Sequence, residues 1–393
     1  MKQSPDVAAP AVTRGSTRDF LAVAVLFLGN GLVTGTFGGS LPGLRSLLDL
    51  GPGQIVGLLV TAGICAVVSM NVSGPLADRF GARLPTIVGG GVMVCAGVVM
   101  GLAPDYAVLV LGAAIFGLGN GAMDVSMNAL GVSVEQARRR PVMSRLHACF
   151  SIGNFVGALL VVVLGRLVSH DPTQWTLWSA AVLMAVLLIG IFRVTPQSPR
   201  RLSEDGGRGR IPAVAWLLAA MAVCFGLTEG TAIDWSSLHV TDVGDVSPSA
   251  GAWGLACVSG FMVVIRLFGD HVVEWLGRAF VVRAGAACAL VGYLLTVLGT
   301  DLALILVGWC LVGLGVGLIA PQMYGLAGHV GGGRGLALVV SFGYAAFLIG
   351  PAIIGFVASH SDLQTAMLVP VATALGLIVM SFRLPEDPTQ TRS

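Results

Sequence analysis

Twelve times along this chain a run of about 20 residues passes with almost no charge, the length an α-helix needs to cross a hydrocarbon core. The runs begin near Phe20, Gln54, Leu84, Tyr106, Ala148, Trp175, Val214, Gly251, Phe280, Leu302, Gly335 and Thr365. Nothing else in the sequence narrows the fold as much. In lipid every backbone N–H and C=O must be satisfied within the protein, and a helix does this span by span. Only 11% of the 393 residues are charged, against about 25% in soluble proteins. The expectation is an all-α membrane protein with twelve transmembrane helices.

Charge distribution orients the spans. With the N-terminus inside, every one of the 22 Lys and Arg residues except Arg45 and Arg166 falls on the cytoplasmic side. The positive-inside rule predicts that asymmetry, and the inverted topology reverses it. Residues 1–19 are polar and precede an apolar run without a small-residue cleavage site, so they read as a cytosolic tail. The seven cysteines lie within or at the ends of spans, unlike a disulfide framework. The six histidines have no metal-ligand spacing. No metal or cofactor is therefore expected. Arginine is used almost to the exclusion of lysine, which points to a GC-rich bacterial genome. The expected location is a bacterial cytoplasmic membrane, with both termini in the cytoplasm.

The longest polar segment between spans, "TPQSPRRLSEDGGRGRIP" at 195–212, lies at the middle of the chain and reads as a linker. It divides a first half, 20–194, from a second, 213–380, with a C-terminal tail at 381–393. A shift of 196 positions aligns "GLGNGAMDVSMNAL" (117–130) with "GLGVGLIAPQMYGL" (313–326), matching Gly117, Gly119 and Gly121 to Gly313, Gly315 and Gly317. The same shift brings Gly81 onto Gly277 and Asp78 onto Glu274. Two separated segments agreeing at one shift indicate a duplicated six-span unit.

Between spans 2 and 3 runs "GPLADRFGARLP" (74–85). Its glycines permit a tight turn and close helix approach, and its arginines hold the loop in the cytosol. Gly74, Leu76, Asp78, Arg79, Gly81 and Arg83 match the loop signature of the major facilitator superfamily, which this sequence resembles along its whole length. "GNGAMDVSMN" (119–128), paired with "RRRPVMSRLHACFSIGN" (138–154) and "EGTAIDW" (229–235), resembles, within it, the YbjJ-like branch of bacterial inner-membrane members. The resemblance implies two pseudo-symmetric six-helix halves, a cavity lined by spans 1, 4, 7 and 10, and alternating access. It also implies that the loop latches the halves on the cytoplasmic side, with Asp78 meeting the start of span 11 near Gly335. A second, degenerate copy, "FGDHVVEWLGRAFVVR" (268–283), keeps Asp270 and Gly277. Ala113 stands where many drug and sugar members carry an arginine, and Asn154 where proton antiporters carry a proline.

Polar residues within spans mark candidate sites, because a charge near a span centre costs about 2.5–3.5 kcal/mol on insertion scales. Asn120, Asp124 and Asn128 follow at i, i+4 spacing and form one stripe. Glu229 lies two-thirds along span 7, with Asp234 nearer its outer end, where an interfacial carboxylate is unremarkable. Asn30 on span 1, and Gln322 and Tyr324 just after Pro321, are candidates for orienting a substrate. Arg145 and His147 enter span 5 from the cytoplasm, and His147 is a candidate for protonation near neutral pH. "GLGNG" and "GLGVG" lie within spans and read as helix packing, and "GGGRG" lacks the Lys-Ser/Thr of a phosphate loop.

No nucleophile–base or metal set lies at one depth, so an enzyme is not expected. The reading is a secondary active transporter of a small organic solute, driven by proton-coupled efflux. Proton-coupled uptake of a sugar-like or other small metabolite is the alternative. Two acids without an arginine at the cavity centre point to neutral or cationic solutes. The expected partners are the solute, protons and membrane lipid, with no nucleic acid, for a monomer.

Overall fold

A computed structural model describes residues 17–140, 142–170, 172–196 and 211–385. Among them, twelve helices are long and apolar enough to cross a membrane. They are α1 (Thr17–Leu47), α2 (Pro52–Phe80), α3 (Arg83–Gly101), α4 (Tyr106–Arg138), α5 (Met143–Leu167) and α6 (Pro172–Ile191) in the first half. The second half holds α7 (Ala213–Val243), α8 (span Pro248–Gly269, its helix continuing to Leu276), α9 (Arg278–Leu298), α10 (Leu302–Gly332), α11 (Arg334–His360) and α12 (Leu363–Ser381). The largest departure from the expected starts is at α5, expected near Ala148. The Glu135 carboxylate of α4 accepts from the amides of Val142 (2.8 Å) and Met143 (3.2 Å), which lets the helix begin a turn earlier. Most of the expected tails and linker, together with the Asp270 side chain, lie outside the described residues.

The duplication is visible in local structure. α2 and α8 both start on a proline, Pro52 and Pro248, and both end on a glycine with positive φ, Gly81 (91°) and Gly277 (79°). With ψ of 146° and 154°, these two turns use a backbone region that is open essentially only to glycine. Asp105 caps α4 by accepting from the Val108 amide, and Asp301 caps α10 by accepting from the Leu304 amide, both at 3.0 Å. All three pairs are related by the shift of 196 positions found in the sequence.

The helix ends define two faces. The proximal face carries the start of α1 and the α2–α3 turn, and the distal face the opposite ends. Contacts between the halves concentrate on the distal side. Gly38 of α1 has no side chain, so the Leu255 methyl and the Ile233 carbonyl close on it, 3.1 and 3.2 Å from where a Cβ would stand. Gly39 packs similarly on Val161 and Ala252. At the rim, Arg45 of α1 forms a two-pronged ion pair with Asp242 of α7. On the proximal face Asp78 is exposed, and its carboxylate has no partner among the described residues. The expected meeting with the start of α11 is thus not made here.

α10 is interrupted. Its helix runs to Val316 and resumes at Ile319, leaving Gly317 and Leu318 as a turn. Pro321 explains the break: it has no N–H to give to the carbonyl four residues back, and its ring crowds that carbonyl. The freed carbonyl is that of Gly317.

Candidate functional site

Where the two halves meet lies a central cavity of about 330 Å³. It is lined from α1, α4, α7 and α10, as the family resemblance implies, and also from α2, α5, α8 and α11. Asn30, Asn120, Asp124, His147, Glu229, Asp234 and Tyr324 all contribute to its wall.

Two polar clusters occupy it. In the first, Asn30 of α1 donates to the Asn120 side-chain oxygen of α4 at 3.1 Å. One turn on, Asp124 accepts from the Asn128 amide at 3.1 Å and from the Tyr344 hydroxyl of α11 at 2.8 Å. Asn128 itself does not reach the cavity wall; its amide is spent on the Asp124 carboxylate and carbonyl. Tyr344 ties the halves together, since α4 and α11 belong to different ones.

The second cluster centres on Arg266 of α8, whose side chain is 8% exposed. Its Nε donates at 3.0 Å to the Gly317 carbonyl that Pro321 leaves unpaired. Nη1 donates to the Ser151 hydroxyl of α5 and, at 3.4 Å, to the His147 carbonyl. Nη2 reaches the Glu229 carboxylate of α7 at 3.4 Å. One guanidinium therefore bridges the second half, through Glu229 and Gly317, to the first half, through Ser151 and His147. Only arginine presents donors in so many fixed directions.

Several expectations are corrected. Arg266 overturns the absence of an arginine from the cavity and removes one residue from the cytoplasmic charge count. The sequence placed it at a span end, where a long cation reaches the interface, but the helix continues to Leu276 and carries it inside. His147 is in the cavity wall, edge-on to Phe27 at 5.4 Å, because α5 begins before it. Asp234 also lines the cavity and does not sit at an interface. Gln322 does not line it. Arg145 is exposed. In the loop signature, Arg83 donates to the Phe192 carbonyl at the end of α6, and Arg79 lies over the Phe80 ring at 5.3 Å. Gly74 has only Val125 within van der Waals range.

Reading the sequence missed Arg266, Tyr344 and Ser151. For Arg266 the signal was present: "FMVVIRLFG" sets one arginine among apolar residues on both sides. Tyr344 and Ser151 carry no such mark, because a lone hydroxyl in a span is common helix–helix contact.

Comparison with known proteins bears on this geometry. The family model described as Major Facilitator Superfamily matches residues 23–334. A relative named uncharacterized transporter y4wD, of Sinorhizobium fredii, is 32% identical, over 88% of this chain and 93% of its own. A protein named probable polyol transporter 6, of Arabidopsis thaliana, is 29% identical over 47% of this chain and 37% of its own. Among solved structures, that of the nucleoside transporter NupG superposes with a TM-score of 0.74, covering 92% of this chain and 98% of that one. At 12% identity, that likeness is one of fold alone.

Proposed function

The chain belongs to the major facilitator superfamily, and from that membership we propose that it is a proton-coupled secondary transporter of a small organic solute. It is a multi-pass membrane protein and a transporter rather than an enzyme. The proposal concerns coupling, direction and the residues that carry them. We place it in the bacterial inner membrane as a monomer, its two halves at 20–194 and 213–380 and both termini in the cytoplasm, so that the proximal face is cytoplasmic. Assignment to the YbjJ-like branch is part of the same proposal.

One observation carries the coupling: the buried Glu229–Arg266 pair, in which the arginine also holds the other half. A proton on Glu229 removes the charge that balances Arg266 and leaves the guanidinium to its bonds with Ser151 and the two carbonyls. The relative stability of the two access states then depends on that proton, which is what a coupled carrier requires. Asp124 is the second proton site or a solute ligand, because its bond to Tyr344 also crosses between halves. Asn30 and Asn120 orient the solute by hydrogen bonds. Efflux is the first reading of direction. Uptake of a hydroxylated metabolite is the second, favoured by the polyol transporter named above and by the amide-lined wall.

The test is transport in proteoliposomes under an imposed pH gradient, comparing wild type with Asp124→Asn and Glu229→Gln. Loss of gradient-driven accumulation with retained solute exchange is expected. Normal coupling in both variants overturns the mechanism. Accumulation in cells with and without the protein decides direction.

A further inference from the structure

Three acids line the cavity, and the structure treats them differently. Asp124 is held by a hydroxyl and an amide, and Glu229 by a guanidinium. Asp234 lines the same cavity and receives no donor and no cation from any described residue. Of the other charged or titratable side chains on that wall, Arg266 is engaged by Glu229, Ser151 and two carbonyls, the Tyr344 hydroxyl donates to Asp124, the His147 ring packs edge-on against Phe27, and Tyr324 also lines the space. A carboxylate away from bulk water is normally paired or neutralised. Among the acids of the site, Asp234 is the one whose carboxylate no described residue satisfies.

Its position adds a second observation. Asp234 lies beyond Glu229 on α7, toward the sealed distal end. The neighbouring Ile233 carbonyl packs on Gly38, and the residue before Gly38 is Phe37. Phe37 and Phe116 form a ring pair there, 4.6 Å between centroids, and both line the cavity. Phe225 and Phe347 face the same space. An unpaired carboxylate and aromatic rings lining one cavity that is closed at its distal end are the chemistry that recognises an organic cation: charge from the acid, and attraction of the cation to the ring faces. The cavity's 330 Å³ is at the small end of the range of about 300–1,000 Å³ for small-molecule sites.

We propose that Asp234 is the anchor for the ammonium group of a small organic amine or quaternary ammonium solute, seated against the Phe37–Phe116 pair. This names a solute class for the transporter proposed above and rests on that reading, with Glu229 left free to carry the proton.

The experiment measures binding without any gradient, as the ligand-induced rise in melting temperature of the purified full-length protein in detergent. The probes are choline against its uncharged isostere neohexanol, and phenethylamine against phenethyl alcohol. The cations should stabilise the wild type and Asp234→Glu, the alcohols should do so far less, and Asp234→Asn should lose the cation effect. Asp234→Asn should itself fold, because Asp234 has no partner to lose, and its melting temperature without ligand checks this. Equal effects of cation and alcohol, no shift from either cation, or a cation shift that persists in Asp234→Asn overturns the proposal. Glu229→Gln separates the two readings. It should still bind the cations while losing proton coupling in proteoliposomes, and normal coupling in that variant counts against the proton site without touching Asp234.

Discussion

The two halves of the molecule share a scaffold but not a chemistry. Across the repeat, Gly117 packs on the Ala62 carbonyl and Gly313 on the Val258 carbonyl. Gly119 meets Gly89 and Met93, as Gly315 meets Gly285 and Ala289. The same shift relates Asp124 to Ala320, Glu229 to Val33 and Arg266 to Met70. The first half thus supplies one cavity acid, Asp124, and the second supplies two, Glu229 and Asp234, whose repeat-related positions are Val33 and Gly38; none stands at a position the scaffold requires. The partners differ too: neutral donors for Asp124, a cation for Glu229. What is duplicated holds the fold, and what is not duplicated carries the chemistry. Substitutions at repeat-related scaffold positions should behave alike, and those at the polar positions should not.

Arg266 gives the largest expected effect. Arg266→Leu strands the Glu229 charge and leaves Ser151 and the Gly317 carbonyl without a donor. Breaking one side of a buried pair costs about 3–5 kcal/mol. The repeat-related Met70→Leu, a swap between similar volumes, should cost under about 1.5 kcal/mol. Thermal unfolding in detergent measures both. The double variant Arg266→Leu with Glu229→Leu should melt closer to wild type than Arg266→Leu alone, because no buried charge is left unpaired, yet it should not couple to protons. If Arg266→Leu melts like wild type, the pair is not what anchors α8 to α5 and α7.

That contrast also explains what the sequence made legible. The spans, the half-to-half repeat and the α2–α3 turn follow from hydropathy, glycine and charge, which act locally and leave periodic marks. Asp124 and Glu229 stood out because a carboxylate in lipid is costly wherever it points. Arg266 did not, because its long side chain is equally at home at a span end and inside, and only the packing of α8 against α5 decides. Tyr344 and the freed Gly317 carbonyl were out of reach for a related reason. Each gains its role from a residue on another helix, and nothing in the local sequence names that helix. Asp234 looked interfacial by distance along the expected span, whereas α7 runs on to Val243 and leaves it in the cavity wall.

Glycine packing comes next in size. Gly117→Ala and Gly313→Ala each place a methyl group against a backbone carbonyl carbon, 2.9 and 2.8 Å away. Overpacking of this kind costs about 1–3 kcal/mol, and the backbone on the other side cannot rotate away. The two variants should fall by similar amounts. Gly91→Ala, with nothing within 4 Å of the added methyl, should be neutral or gain about 0.5–1 kcal/mol from helix propensity. A large loss in one half with none in the other breaks the idea of a shared scaffold.

The helix caps are smaller and test the same symmetry. Asp105→Ala and Asp301→Ala each remove one amide acceptor of equal length, for about 1 kcal/mol each. Asp362 caps α12 by accepting from the Thr365 amide at 2.6 Å. The position that the shift of 196 relates to it holds Arg166. Outside the spans and almost fully exposed, its carboxyl is held below the ordinary carboxylate range by the Thr365 backbone N–H first, then by the Thr365 side chain. A lowered value means the cap contributes fully above the ordinary carboxylate range and is lost as pH falls through the lowered one. Comparing melting temperatures across mild acid for wild type and Asp362→Asn, the wild-type advantage should shrink toward low pH.

The distal ion pair should move stability least and access most. Arg45 and Asp242 are 27% and 36% exposed, and exposed pairs contribute about 0–1 kcal/mol. Arg45→Ala should therefore barely shift the melting temperature. The same pair, however, joins α1 to α7 at the closed end of the cavity, so its loss lowers the free energy of the distally open state relative to the closed one. A difference of even 1.4 kcal/mol changes that ratio about tenfold. A cysteine introduced at Gly38, where the halves abut, should react with a membrane-impermeant thiol reagent added from the distal side faster in Arg45→Ala than in the parent. The swapped variant Arg45→Asp with Asp242→Arg should restore the slow rate. Unchanged labelling would assign closure to the apolar contacts around Gly38 and Gly39 and leave the ion pair as a surface ornament of the closed state.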